Sequence, residues 1–167
     1  YWHSFNVVES TEQRNKHRFK HVLCMENNID LLQVFEYDWV NNKNVVKSII
    51  NHKLGKSERV YARCCKIVEL SGKRLKSFLD GNHLYGHKNA TLAFALTIDG
   101  EICSVMSFNK HNRYGWEIGR FAHCVGCMVV GGGGKLFKHF VRSVDPDSVL
   151  TFADARYGFG NLYRKLG

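Results

Sequence analysis

The sequence predicts an α+β protein in two parts. Short β-branched and aromatic runs alternate with amphipathic runs of helical spacing, so neither an all-helical nor an all-strand fold fits. Asp99-Gly100 separates two apolar runs, the mark of a tight hairpin and so of antiparallel pairing. Val129-Val130 leads into Gly131-Gly132-Gly133-Gly134. A run with Leu136, Phe137, Phe140 and Val141 on one helical face follows, which makes a strand–loop–helix unit.

Taken in order, residues 1–5 read as the end of a strand. Residues 10–28 read as a helix: Ser10 can cap it, Phe19, Val22 and Leu23 give its apolar face, and Asn27-Asn28 can end it. Residues 29–35 read as a strand buried on both faces, because Leu31, Leu32, Val34 and Phe35 form an almost unbroken apolar run. A second helix is expected over 38–54, with Val45, Val46, Ile49 and Ile50 inward and Gly55 just past its end. Lys56-Ser57-Glu58 is a polar link, which places a domain boundary between residues 1–56 and 57–167. The second part then predicts a strand at 60–70 and a short helix at 73–80 closed by Gly81. The hairpin takes 91–98 and 101–109, and strands follow at 116–122 and 127–130. A helix at 135–143 stops before Asp145-Pro146, a strand covers 149–153, and a last helix begins at Asn161.

The chain has 167 residues, a formal net charge of +9 and a pI near 9.4. That balance points to a polyanionic partner, double-stranded DNA first. The basic residues are spread along the chain rather than gathered on one amphipathic helix, and no apolar run is long enough to cross a membrane, so no membrane partner is expected. Six cysteines lie scattered and no signal peptide is visible, which predicts reduced thiols and a cytoplasmic location. Cys124-Val-Gly-Cys127 has metal-like spacing but no second pair to complete a site, so metal ligands stay unassigned. A start at Tyr1 and a stop at Gly167 predict a fragment of a longer protein.

Glycines ahead of a helix let an anion approach backbone N–H groups where the helix dipole favours negative charge. Gly131, Gly132, Gly133, Gly134 and Lys135 are therefore the candidate cofactor-binding residues, with an unliganded turn as the alternative. Asn82, His83, Tyr85, Arg113, Glu117, Arg120, Asp154, Arg156 and Tyr163 are the other polar candidates of the second part. In the first part the candidates are His3, His17, Lys20, His21, Glu36 and Asp38. Metal-assisted phosphodiester hydrolysis needs carboxylates for the metal and a His or Lys near the phosphate, and a complete carboxylate pair is not evident.

Two resemblances sharpen these expectations. Tyr1-Trp2-His3-Ser4, His17-x-x-Lys20 and Ile29-Asp-Leu-Leu-Gln-Val-Phe-Glu-Tyr-Asp-Trp39 resemble the tail of phage-type homing endonucleases, whose nuclease domain is similar to the very-short-patch repair endonuclease. That implies the back of a restriction-endonuclease-like α/β domain, encoded by a phage and working in the host cytoplasm. It also implies Mg2+-dependent DNA cleavage in the intact parent. His3 would be the catalytic histidine, with His17, Lys20 and Glu36 supporting it. The acidic metal ligands would precede Trp2-His3, so this piece alone is expected not to cleave. The element order of residues 59–167, ending in Asn161-Leu-Tyr163-Arg-Lys165-Leu166-Gly167, is similar to the mixed-sheet acyltransferase (GNAT-like) fold. That resemblance implies a loop cradling the pyrophosphate of coenzyme A. Asn82-His83-x-Tyr85-x-His87 is a loose parallel to the Mom-like DNA-modifying proteins of phages, which implies acyl transfer to a DNA base as the alternative function. Met128 stands where that superfamily carries a basic or amide residue.

Overall fold

The computed structural model describes residues 11–113, 115–158 and 160–167. His3 and the side chain of His17 lie outside the described part. The protein is mixed α+β.

Helix α1 (Thr11–Glu26) ends in the way its asparagines suggest. Asn28 takes φ +56°, and the N–H groups of Asn28 and Ile29 return to the carbonyls of Met25 and Cys24 at 3.2 and 2.8 Å. This is the double-bonded stop that needs a left-handed residue. Residues 29–35 form no strand, which corrects the reading of that segment. Leu31, Leu32, Val34 and Phe35 are half-buried, and the Gln33 N–H bonds to the Arg156 carbonyl at 2.9 Å rather than to a neighbouring strand. An unbroken apolar run reports burial and not pairing. The expected helix over 38–54 is two, α2 (Glu36–Asn41) and α3 (Lys43–Lys53), broken at Asn42. Gly55 (φ +70°) closes α3 with the same stop: its N–H reaches His52 O at 3.0 Å and Lys56 N–H reaches Asn51 O at 2.8 Å.

The single strand expected over 60–70 is also two. β1 (Glu58–Tyr61) runs parallel to β6 (Cys127–Val130) in a small sheet of its own. A 3-10 turn (Ala62–Cys64) then swings the chain into β2 (Lys66–Glu69). β2 is the first strand of a five-stranded sheet with β3 (Leu92–Ile98), β4 (Glu101–His111), β5 (Gly115–His123) and β7 (Val149–Leu150), in that order. The β3–β4 turn is the expected one, with Asp99 and Gly100 both at positive φ (+51° and +87°).

Helices cover both faces of this sheet, and β3 shows why. Phe94 and Leu96 join the cluster under α5 (Gly132–Val144), whereas Ala93 and Ala95 join Leu75 and Leu79 of α4 (Gly72–Asn82). The alternation along a strand assigns one set to each face. Gly81, expected to end α4, lies inside it. Under α5 the rings of Phe108 and Phe140 stack at 3.7 Å with a 6° interplanar angle, both fully buried. A short helix, α6 (Asn161–Arg164), ends the chain.

Candidate functional site

β5 and β7 are parallel and pair only at Trp116–Val149 and Glu117–Leu150. Beyond that point they part, and a cleft of about 1500 Å³ opens between residues 118–123 of β5 and residues 152–164. That volume is ample for a coenzyme-sized ligand. The first turn of α5 closes one end of the cleft, and the segment after α4 with the inner side of α3 forms its rim.

α5 begins three residues earlier than the apolar spacing implies, so Gly132, Gly133 and Gly134 are helical and only Gly131 (φ +77°) makes the turn. The four glycines have different reasons. A Cβ on Gly132 would stand 3.1 Å from the Val129 side chain and 3.4 Å from His123 Cε1. One on Gly133 would stand 3.0 Å from Leu162 Cδ1. Close packing of the protein on itself therefore requires those two. Gly134 faces open space. Lys135 N–H makes the first helical bond, to Gly131 O at 3.0 Å, which leaves the N–H groups of Gly132, Gly133 and Gly134 ahead of the ladder. The Lys135 ammonium turns away, to the carbonyls of Ala62 (2.8 Å) and Cys65 (2.5 Å), and pins α5 to the 3-10 turn.

The second-part candidates converge, although they lie far apart in sequence. Asn82, His83, Tyr85, Glu117, Arg120, Asp154 and Tyr163 all line the cleft. Burial, with the nearby Arg120 charge, pulls His83 down to about 4, so it is neutral at pH 7. Its Nδ1 accepts the Tyr85 N–H at 3.1 Å, which places its proton on Nε2. Asn82 is a structural bridge, with Nδ2 donating to Phe78 O at 2.8 Å and Oδ1 accepting from Val125 N–H at 2.7 Å. Lys88 pairs with Glu117 at 2.6 Å. Arg120 donates to the carbonyls of Gly86 (3.2 Å) and Gly119 (2.9 Å). Burial raises the Tyr163 hydroxyl above its usual range.

Asp154 anchors the mouth of the cleft. Tyr85 donates to it, and Arg156 grips it through Nε at 3.1 Å and through a second nitrogen at 2.8 Å. Burial alone would raise the Asp154 carboxyl, but the Arg156 and Tyr85 hydrogen bonds outweigh it and hold the group below its usual range. The other arm of Arg156 reaches Asp38 of α2 at 2.8 Å, and Tyr157 donates to the same oxygen at 3.0 Å. With the Gly126 N–H bonded to Ser48 Oγ at 2.9 Å, this joins residues 29–53 to the cleft wall across the polar link at 56–58.

Lys20 is exposed on α1, Glu36 is exposed at the first position of α2, and neither lines the cleft. Arg113 lies in the β4–β5 turn, outside it. Among the described residues no group of three or more His, Cys, Asp or Glu is placed to hold a metal ion. Burial pushes the Cys103 and Cys124 thiols up to about 12, so both stay protonated. No described helix is long and apolar enough to cross a membrane.

His123 is the residue that sequence reasoning passed over. It follows strand periodicity onto the α5 face of β5, where its ring meets Phe121 edge-on at 4.9 Å and lies against Gly132.

Comparison with protein-family models, curated proteins and solved structures returns no match to this chain.

Proposed function

We propose that this chain acts on duplex DNA as part of a phage or mobile-element homing endonuclease. In this reading residues 57–167 form a GNAT-like domain whose cleft holds a phosphate-bearing ligand against the first turn of α5. The observation that carries the reading is the placement of the Gly132, Gly133 and Gly134 N–H groups, ahead of the helical ladder and beside the open face of Gly134, at the end of a cleft of about 1500 Å³. Helix N-termini of this kind favour phosphate oxygens. The net charge of +9 supports DNA as the partner.

Phosphodiester cleavage belongs to the intact parent in this proposal. The described residues do not fit a magnesium site: the buried carboxylate of the first part, Asp38, is already held by Arg156 and Tyr157.

A second reading is favoured by the parting of β5 and β7, which leaves the edge of residues 118–123 open to an extended ligand arm. There the domain would transfer an acyl group from an acyl-coenzyme A to an amine, a DNA base above all. Gly134 and its neighbours would hold the pyrophosphate, and the Tyr163 hydroxyl, protonated at pH 7, would give its proton to the thiolate displaced by the amine and regain one from the amine nitrogen. Acyl-coenzyme A would supply the activated thioester.

Fluorescence anisotropy of a labelled duplex, with the full chain at low and moderate salt, tests the first reading. Binding that weakens steeply with salt is expected. Absent or salt-independent binding sinks it. Isothermal titration with coenzyme A tests the second.

A further inference from the structure

The imidazole of His123 is held in one orientation by a fully buried hydroxyl. Its Nδ1 is 3.0 Å from Ser104 Oγ, and Ser104 Oγ lies 3.2 Å from the carbonyl of Ala122. A hydroxyl has one proton. Given to the carbonyl, it leaves Oγ to accept from Nδ1–H. His123 is then the Nδ1–H tautomer, and its bare Nε2 lies on the far side of the ring from Ser104. His123 lines the cleft, with Cε1 beside Gly132 in the first turn of α5. Burial, with a smaller contribution from His52 of α3, lowers its pKa to about 4, so the ring is uncharged at pH 7. Phe121 meets it edge-on, and the positive end of α5 lies beside it. The backbone of α5 presents hydrogen donors at this place, and His123 sets one acceptor among them.

We propose that His123 is the hydrogen-bond acceptor beside the first turn of α5 and selects a phosphate ester that carries an N–H or O–H donor over the backbone of duplex DNA. The inference rests on the reading of the cleft as a phosphate-ligand site, and it names which ligand belongs there. A DNA backbone offers phosphate and sugar oxygens but no donor hydrogen. A coenzyme with amide or hydroxyl groups on its arm offers both. DNA then contacts the outer surface, and the cleft is kept for the coenzyme.

Nitrogen NMR of the imidazole groups in the full chain tests this, with coenzyme A and a duplex oligonucleotide as separate probes. At neutral pH the free protein should show His123 protonated on Nδ1 and bare on Nε2. Coenzyme A should move the Nε2 resonance, and the duplex should leave it in place. His123→Gln, which keeps an acceptor oxygen near the Nε2 position, should bind coenzyme A nearly as the parent does. His123→Asn, which keeps the donor to Ser104 but cannot reach as far, should bind about tenfold more weakly, the worth of one neutral hydrogen bond. A proton on Nε2 in the free protein overturns the proposal while leaving the phosphate-site reading intact. So does equal coenzyme affinity in the parent and His123→Asn. A coenzyme that leaves Nε2 unmoved, or a duplex that moves it, also overturns the proposal, and salt-dependent DNA binding would then stand on its own.

Discussion

Arg156 and Asp38, 118 positions apart in the chain, meet at 2.8 Å. The guanidinium that holds Asp154 at the cleft mouth also holds the buried carboxylate of α2, so the first and second parts of the chain share one ionic joint.

Asp38→Ala leaves Arg156 half-satisfied in a buried setting and should destabilise the fold by about 3 kcal/mol. Arg156→Ala should cost a similar amount. The double variant should lose much less than the sum, because the joint is lost once. Denaturant unfolding of the three variants checks this, and additive losses would show that the two groups do not act as a pair.

Acid should weaken the protein well above the carboxylate range. His83 and His123 sit near 4 in the fold against an ordinary value of 6.5, because burial disfavours their charge. The unfolded chain therefore binds more protons between those values. The stabilisation is complete above 6.5 and falls as pH drops towards 4, on the order of 1–2 kcal/mol per histidine at pH 5. His83→Gln and His123→Gln should each flatten that slope in denaturant titrations at pH 7 and pH 5. Asp154, whose carboxyl is lowered in the fold, adds a separate loss only below its ordinary value of 3.8.

The glycines of α5 should separate into two kinds. Gly133→Ala forces Leu162 aside and should lower stability by about 1–3 kcal/mol. Gly134→Ala meets nothing and replaces a poor helix former, so the thermal midpoint should hold or rise. The same methyl stands beside the free N–H groups and should weaken phosphate-ligand binding severalfold. A Gly134→Ala protein that binds duplex DNA and coenzyme A like the parent would remove the first turn of α5 from the site.

Lys135→Met tests the pin between α5 and the 3-10 turn. It keeps the length of the side chain and removes the ammonium that bonds to Ala62 O and Cys65 O, so it should cost about 1–3 kcal/mol through those two carbonyls. If Lys135 instead served a ligand, stability would stay and affinity would fall.

Much of the local structure was legible in the residues. Asn28 and Gly55 end their helices in the left-handed conformation that their type allows, and Asp99-Gly100 makes its hairpin. The polar candidates Asn82, His83, Tyr85, Glu117, Arg120, Asp154 and Tyr163 were named one by one, and the fold gathers them around one cleft. The reading failed where a signal had two meanings. Residues 29–35 and 60–70 are apolar enough for strands, but the first bonds to the carbonyl of Arg156 outside any sheet and the second is cut by a 3-10 turn between two sheets.

The sequence by itself determined the α+β class, the hairpin, the stops of α1 and α3 and the strand–glycine–helix unit, because each depends on a few neighbouring residues and their backbone preferences. Only the tertiary structure decided that β5 and β7 part after two paired residues, that Gly132 and Gly133 are packed while Gly134 is open, that Lys135 faces inward, and that His123 is held by Ser104. Those facts depend on atoms far apart in the chain that approach only when the sheet twists and the helices settle on it, and a local pattern of residues carries no record of that approach.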